Sequence, residues 1–267
     1  MTYGETTTDG GIALVTGAAG GIGEEVVRTL AERGLSVAAV DRHAGTLGDT
    51  VAKLRAEGLH VEGFTCDVTV SAQVDSLVDT VERVLGPVEY LVNSAGVLRV
   101  GQAVSLSDDD WAATFAVNAT GVFFVSRAVV GRMVARRSGA VVTVASNAAG
   151  TPRTGMAAYA ASKAATAMFT KCLGLEVARY GIRCNVVAPG STATPMLTSL
   201  WTDGGADGSG ERGSIDGIAD EFRVGIPLGK LARPRDVAQA VAFLLSDQAS
   251  HITLHDLTVD GGAALGV

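Results

Sequence analysis

The stretch from Ile12 to Arg33 constrains the fold of this chain more than any other. An apolar run, IALVT, passes directly into Gly17-Ala-Ala-Gly20-Gly21-Ile-Gly23 and then into an amphipathic helix expected from Glu24 to Arg33. Glycines at a strand-to-helix turn allow a tight bend and let backbone N–H groups approach a pyrophosphate, which also gains from the positive end of the helix. The spacing is G-x-x-x-G-x-G, not G-x-G-x-x-G, and it carries meaning because of the strand, turn and helix around it.

The alternation continues. Ser36–Val40 reads as a strand ending in Asp41, followed by a helix (Thr46–Glu57), a strand (Val61–Cys66) with Asp67 and Val68 after it, and a helix (Ser71–Leu85). Val88–Val92 is a strand running into Asn93-Ser94-Ala95-Gly96, and Asp108–Arg137 is helical. Ala140–Ser146 is a β-branched strand, Met156–Tyr180 a long Ala-rich helix, and Ile182–Ala188 a strand ending in Pro189-Gly190-Ser-Thr192-Ala-Thr194. A helix (Arg235–Ser246) and a strand (Asp256–Val259) complete the pattern. With 267 residues and 47% hydrophobic content, one α/β domain with a sizeable core is expected. The polar residues 1–10 are expected to be a flexible tail. The Gly- and Asp-rich stretch Thr202–Gly217 is expected to be a loop within a substrate-loop region of about residues 191–226.

A net charge of −7 excludes the basic stripe that nucleic acid or an anionic membrane surface demands. The one basic cluster, Arg132–Arg137, ends a helix, where positive charge suits the dipole. Cys66, Cys172 and Cys184 lack metal or disulfide spacing, and His43, His60, His251 and His255 form no ligand pattern, so no metal is expected. Nothing resembles a signal peptide, and no apolar run approaches the ~18 residues of a membrane span. A soluble protein of the reducing cytoplasm is the expectation.

Asp41 lies about 24 residues after Gly17, where an acid is expected to bind ribose hydroxyls and to repel a 2′-phosphate, favouring NAD over NADP. Arg42 stands beside it. The chemistry concentrates in Ser146, Tyr159 and Lys163. Tyr159 and Lys163 are one helical turn apart on the same face, and a neighbouring ammonium is expected to lower the phenol's pKa from its usual value of about 10. Ser146 falls at the carboxyl edge of a sheet, where open α/β folds bind ligands. A Tyr and a Lys at this spacing are also ordinary surface neighbours, so the pair draws its weight from the rest of the chain. Asn118, inside the apolar FAVNATGVFF, needs buried partners. Arg99 and Arg153 suit a carboxylate, and Met156 and Met196 suit the walls of a ring pocket.

Taken together, TG-x-x-x-G-x-G at Thr16–Gly23, NSAG at Asn93–Gly96, Asn118, Ser146, Tyr159-x-x-x-Lys163 and PG-x-x-x-T at Pro189–Thr194 resemble the short-chain dehydrogenase/reductase family over essentially the whole chain. The resemblance implies a single-domain, Rossmann-type, doubly wound parallel sheet of about seven strands with helices on both faces, a nicotinamide cofactor at its carboxyl edge, and a homotetramer. It implies Tyr159 as acid/base, Ser146 as holder of the reacting oxygen, Lys163 as grip on the nicotinamide ribose and tuner of Tyr159, and Asn118 as support for a proton-relay water. Cofactor contacts are then expected from Gly17, Gly21, Ile22, Gly23, Asp41, Arg42, Asp67, Val68, Asn93, Ala95, Gly96, Tyr159, Lys163, Pro189, Gly190, Thr192 and Thr194. Substrate contacts are expected from Arg99, Ser146, Asn147, Arg153, Met156, Tyr159 and Met196.

Longer runs, AGVLRVG, SNAAGTPRTGMAAYAASKAA, GSTATPML, IPLGKLARP and ASHITLHDLTVDGG, resemble the branch of the family that aromatises cyclohexadiene carboxylates. This implies NAD-dependent oxidation of 2,3-dihydro-2,3-dihydroxybenzoate to 2,3-dihydroxybenzoate, in siderophore or secondary-metabolite biosynthesis. The chain departs from that branch at Asn147 and Gly150, where an acid and a histidine are expected. Asn147 would suit the amine of trans-2,3-dihydro-3-hydroxyanthranilate, whose product is 3-hydroxyanthranilate. More distant alternatives are an NADPH-dependent 3-oxoacyl reductase and a nucleotide-binding protein without catalysis.

Overall fold

A computed structural model describes residues 10–201 and 209–266. Six apolar segments form strands β1 (Ile12–Thr16), β2 (Ser36–Asp41), β3 (Val61–Thr65), β4 (Val88–Asn93), β5 (Gly139–Val144) and β6 (Ile182–Pro189). A short antiparallel hairpin, β7 (Gly217–Ile218) with β8 (Arg223–Val224), precedes β9 (Asp256–Val259). All strands but the hairpin join one parallel sheet in the order β3-β2-β1-β4-β5-β6-β9. The order reverses between β1 and β4, and the crevice outside the carboxyl ends of those strands is where such sheets take ligands.

Parallel strands need crossover helices on both faces, which is why β1 and β5 are near-continuous buried runs. On one face α1 (Gly21–Glu32), α2 (Ala44–Ala56) and α9 (Pro234–Leu245) bury Leu30, Leu54 and Val241 against Val15 and Val37. On the other, α3 (Ser71–Val84), α5 (Val122–Arg136) and α6 (Ala157–Val177) enclose Val78, Val129 and Met133 with Leu14 and Val141. Leu14 and Val15 fall in different cores because successive strand side chains point to opposite faces.

Three expectations change. The helical stretch expected from Asp108 is α4 (Asp108–Phe115), a π-helical turn (Ala116–Gly121) and α5, not one regular helix. Its 29-residue length and composition would also suffice to cross a membrane, contrary to the reading of the apolar runs, yet Val125, Val129 and Met133 on it are packed in the core. Within the expected loop, Ser209–Asp216 forms helix α8, preceded in the chain by the short α7 (Pro195–Thr198). The backbone there is held by tertiary contacts that polar composition does not reveal: Ile226 donates its N–H to the Ile215 carbonyl. The rest of that expected loop, residues 202–208, and residues 1–9 of the expected tail lie outside the described residues.

Candidate active site

A cleft of about 670 Å³ opens at the carboxyl edge of the sheet. It collects the turn after β1, the ends of β2 to β6, the start of α6 and the hairpin. The glycine turn is built for close approach. Gly17 and Gly21 have φ of 70° and 58°, and a Cβ on Gly17 would sit 2.7 Å from the Ala95 Cα. A Cβ on Gly23 would lie 1.9 Å from the Gly17 carbonyl oxygen, so that glycine packs α1 onto its own turn, whereas Gly20 faces open space. Thr16 Oγ1 accepts from the backbone N–H groups of Ser94 and Ala95 at 3.1 and 3.2 Å, locking the ends of β1 and β4 together. The N-terminus of α1 therefore meets a cradle that a side chain would fill, which fits the pyrophosphate of a dinucleotide.

Asp41 ends β2 with its carboxylate oriented by the Ala19 and His43 N–H groups at 3.1 and 3.0 Å. Exposed Arg42 donates to His43 beside it. Asp67 accepts from the Thr69 N–H and hydroxyl, which hold its carboxyl below the usual range and keep it an acceptor. Both acids line the cleft, as do Ile22, Val68, Ala95, Gly96, Pro189, Gly190, Thr192 and Thr194.

Beyond β5, Ser146 caps a 3₁₀ turn by accepting from the Ala148 N–H at 3.1 Å, and its hydroxyl favours the phenolate of Tyr159. Tyr159 and Lys163 stand one turn apart on α6, the Lys163 Nζ 5.9 Å from the centre of the phenol ring. Buried Lys163 donates to the Val144 carbonyl at 2.9 Å, and burial lowers its pKa to about 8. The expected lowering of the Tyr159 pKa does not hold for the protein by itself. Burial disfavours the phenolate and raises the value, outweighing the Ser146 hydrogen bond that favours it.

Three expected contacts are not brought into the cleft. The Asn93 amide points back into the protein, donating to Ser126 Oγ at 2.9 Å, because β4 still buries its side chain at that position. Arg99 turns to solvent beside Asp110, 3.6 Å away, since its loop leaves the sheet edge before reaching α4. Asn118 lies behind the wall: its Oδ1 accepts from the Val97 N–H at 2.8 Å, and its Nδ2 donates to the Val97 carbonyl and to Ser162 Oγ, both at 3.0 Å. The Asn118 amide thus pins the loop after β4 to α6 and is not itself spent on a water. Its backbone carbonyl, in the π-helical turn, accepts from the Thr166 hydroxyl.

The remaining expected substrate residues do converge. Arg153, Met156 and Met196 line the cleft with Ser146 and Tyr159. Asn147 lines it too, but its amide donates to Asp260 at 3.1 Å. Arg223, on β8, also faces this space and was not anticipated: a lone arginine in the polar segment EFRVG gives no periodic or motif signal.

The short chain dehydrogenase family model matches residues 11–204. The chain is 58% identical over 259 residues to the 2,3-dihydro-2,3-dihydroxybenzoate dehydrogenase of Bacillus subtilis, covering 97% of this chain and 98% of that protein. It is 44% identical over 256 residues to the vibriobactin-specific 2,3-dihydro-2,3-dihydroxybenzoate dehydrogenase of Vibrio cholerae, covering 94% and 95%. Among solved structures, a variant of actinorhodin polyketide ketoreductase with NADPH superposes with a TM-score of 0.88 at 37% identity, covering 96% of this chain and 98% of that one. The glycine turn, the Ser146–Tyr159–Lys163 group and these likenesses agree: the chain belongs to the short chain dehydrogenase family.

Proposed function

We propose that this chain is an NAD-dependent dehydrogenase that converts 2,3-dihydro-2,3-dihydroxybenzoate to 2,3-dihydroxybenzoate. The observation that carries the reading is the meeting, in one cleft, of the Ser146 and Tyr159 hydroxyls with the guanidinium of Arg153. The pair suits a secondary alcohol and the cation suits a ring carboxylate. The activities carried in the names of the Bacillus and Vibrio relatives support the same substrate and a place in siderophore biosynthesis.

Ser146 holds the C3 hydroxyl oxygen and Tyr159 takes its proton. A bound oxidised nicotinamide would supply the acceptor for the hydride of the same carbon. The ketone left behind tautomerises to the aromatic ring, which makes the oxidation effectively one-way. Burial keeps Tyr159 protonated in the protein alone, with Lys163 one turn away, and a bound oxidised nicotinamide would add positive charge that favours the phenolate. Asp41 receives the adenosine ribose and disfavours a 2′-phosphate, which supports NAD. Gly17, Gly21, Ile22 and Gly23 receive the pyrophosphate. Asn118 is a positioning residue. The hydroxyanthranilate alternative finds no support in the activities named for these relatives, which concern the dihydroxy acid. A cytoplasmic homotetramer fits the family, and Trp111, Phe123, Met168 and Leu175 leave apolar surface exposed on α4, α5 and α6 for such assembly.

Purified protein with NAD and each diene acid, followed through NADH absorbance, tests the reading. NADH is expected with the dihydroxy acid; its absence with both acids, or a preference for NADPH and an acyl thioester, overturns it. Tyr159→Phe should keep NAD binding while turnover falls by about a thousandfold.

A further inference from the structure

Arg153 and Arg223 come from different parts of the chain, the first from the segment between β5 and α6, the second from β8. The hairpin brings them together. Between its strands lie the 3₁₀ turn Ala219–Glu221 and Phe222, and the Glu221 carbonyl accepts from the Thr154 hydroxyl at 3.3 Å, which docks the hairpin tip next to Arg153. Each guanidinium carries five N–H donors. Arg153 uses Nη2 on the Ala263 carbonyl at 3.4 Å, and Arg223 uses Nη2 on Ser191 Oγ at 3.0 Å. Both partners are neutral oxygens.

Among the described residues neither arginine has a carboxylate within ion-pair distance, in contrast to Arg132, which sits between Asp79 and Glu82. One carboxylate does act on Arg153: Asp260 attracts it without a direct ion pair, while accepting from the Asn147 amide and from the backbone N–H groups of Gly262 and Ala264 at 3.1, 2.9 and 2.8 Å. Glu221 also borders the cleft, with its side chain exposed. The two cations feel each other, since burial first and then the charge of Arg223 hold the Arg153 pKa below its ordinary value. Two like charges converging on one half-buried space, with donors left over, are stabilised by an anion placed between them. That space shares the cleft with Ser146 and Tyr159, which follow β5, and β1 and β4 lie between β5 and the β2 that carries Asp41.

We propose that Arg153 and Arg223 form a two-guanidinium clamp for the carboxylate of the substrate, which makes Arg223 a specificity-determining residue for acidic rings. The proposal rests on the reading of the substrate as a ring carboxylate. It adds that the hairpin, not the glycine-rich core of the fold, selects that charge.

The test measures binding of 2,3-dihydroxybenzoate and of its methyl ester to the NADH complex by titration calorimetry, in the wild type, Arg223→Gln and Arg223→Lys. The wild type should bind the acid more tightly than the ester. Arg223→Gln should weaken the acid by about ten- to a hundredfold, leaving the ester and NADH unchanged. Arg223→Lys, which keeps the charge without the planar fork, should lose less, and it carries the test if Arg223→Gln does not fold. Equal loss for acid and ester, loss of NADH affinity instead, no loss at all, or a wild type indifferent to the carboxylate would each overturn the clamp. If the wild type turns over neither diene acid yet binds the acid in this Arg223-dependent way, the clamp stands and the proposed reaction falls.

Discussion

Lys163 is a charge placed where charge is expensive. Its Nζ is buried against the Val144 carbonyl, and its pKa falls from 10.5 to about 8. Below pH 8 the lysine is protonated in folded and unfolded chains alike, and the fold bears the whole desolvation cost. Between about pH 8 and 10 the folded chain releases that proton while the unfolded chain keeps it, so stability rises with pH. Above pH 10 the sign reverses for Tyr159, whose raised pKa keeps its proton on the folded side only. The wild type should therefore gain up to about 3 kcal/mol across this window that Lys163→Met does not gain. Denaturant melts of both proteins at pH 7, 8, 9 and 10, without cofactor, read the difference directly. A difference between them that stays flat over the window would mean that Lys163 reaches water, and the reading of a costly, function-retained cation would fail.

Within a single element, glycines of the same motif do different work. Gly23 cannot carry a side chain, because its Cβ would lie 1.9 Å from the Gly17 carbonyl oxygen, whereas Gly20 has extended backbone and open space around it. Gly23→Ala should cost about 3 kcal/mol or more, lowering Tm by roughly 6–12 °C and abolishing NAD binding. Gly20→Ala should leave Tm within about 2 °C and weaken NAD binding, because the new methyl enters only the space a pyrophosphate approaches. Thermal melts with and without NAD separate the two, and equal Tm losses would refute the division. The same contrast explains what the sequence made legible. β1 was readable to the residue because a buried strand is an uninterrupted apolar run closed by turn residues, and the half-buried β9 was bounded by the Asp-Gly-Gly turn that follows it. The π-helical turn around Asn118 was not, since the choice of i+5 over i+4 pairing depends on the partners of Asn118 and on Gly121, where a Cβ would meet Val68 at 2.8 Å. Helix α8 and the two-residue strands that present Arg223 were hidden too: their order comes from contacts made across the chain, as from Ile226 to Ile215, and not from any local period. Ser146, Tyr159 and Arg153 fell together because spacing on neighbouring elements fixes their relative positions, while Arg99 and Asn93 depended on which way a loop or a strand end turns, and pattern does not encode that.

At the scale of the molecule, the cleft is a seam. Its wall takes residues from the carboxyl ends of six of the seven parallel strands, Asp41 at the end of β2 and Pro189 at the end of β6 among them, and from the hairpin. The two cores on opposite faces share those strands, so neither can loosen without disturbing the lining. A ligand spanning the seam binds only the fully assembled sheet, and its binding energy is added to the whole unfolding equilibrium. The expectation of one domain thus has a calorimetric form. Unfolding should be a single transition, and NAD at about a hundred times its Kd should add about 2.7 kcal/mol, raising Tm by roughly 5–10 °C for a chain of this size. The seam argument requires the entire transition to move. Scanning calorimetry with increasing NAD decides it: two transitions of which only one shifts would show that the glycine-turn half of the sheet, β1 to β3, holds the cofactor independently, and that the half carrying Ser146, Tyr159 and the hairpin folds as a separate unit around it.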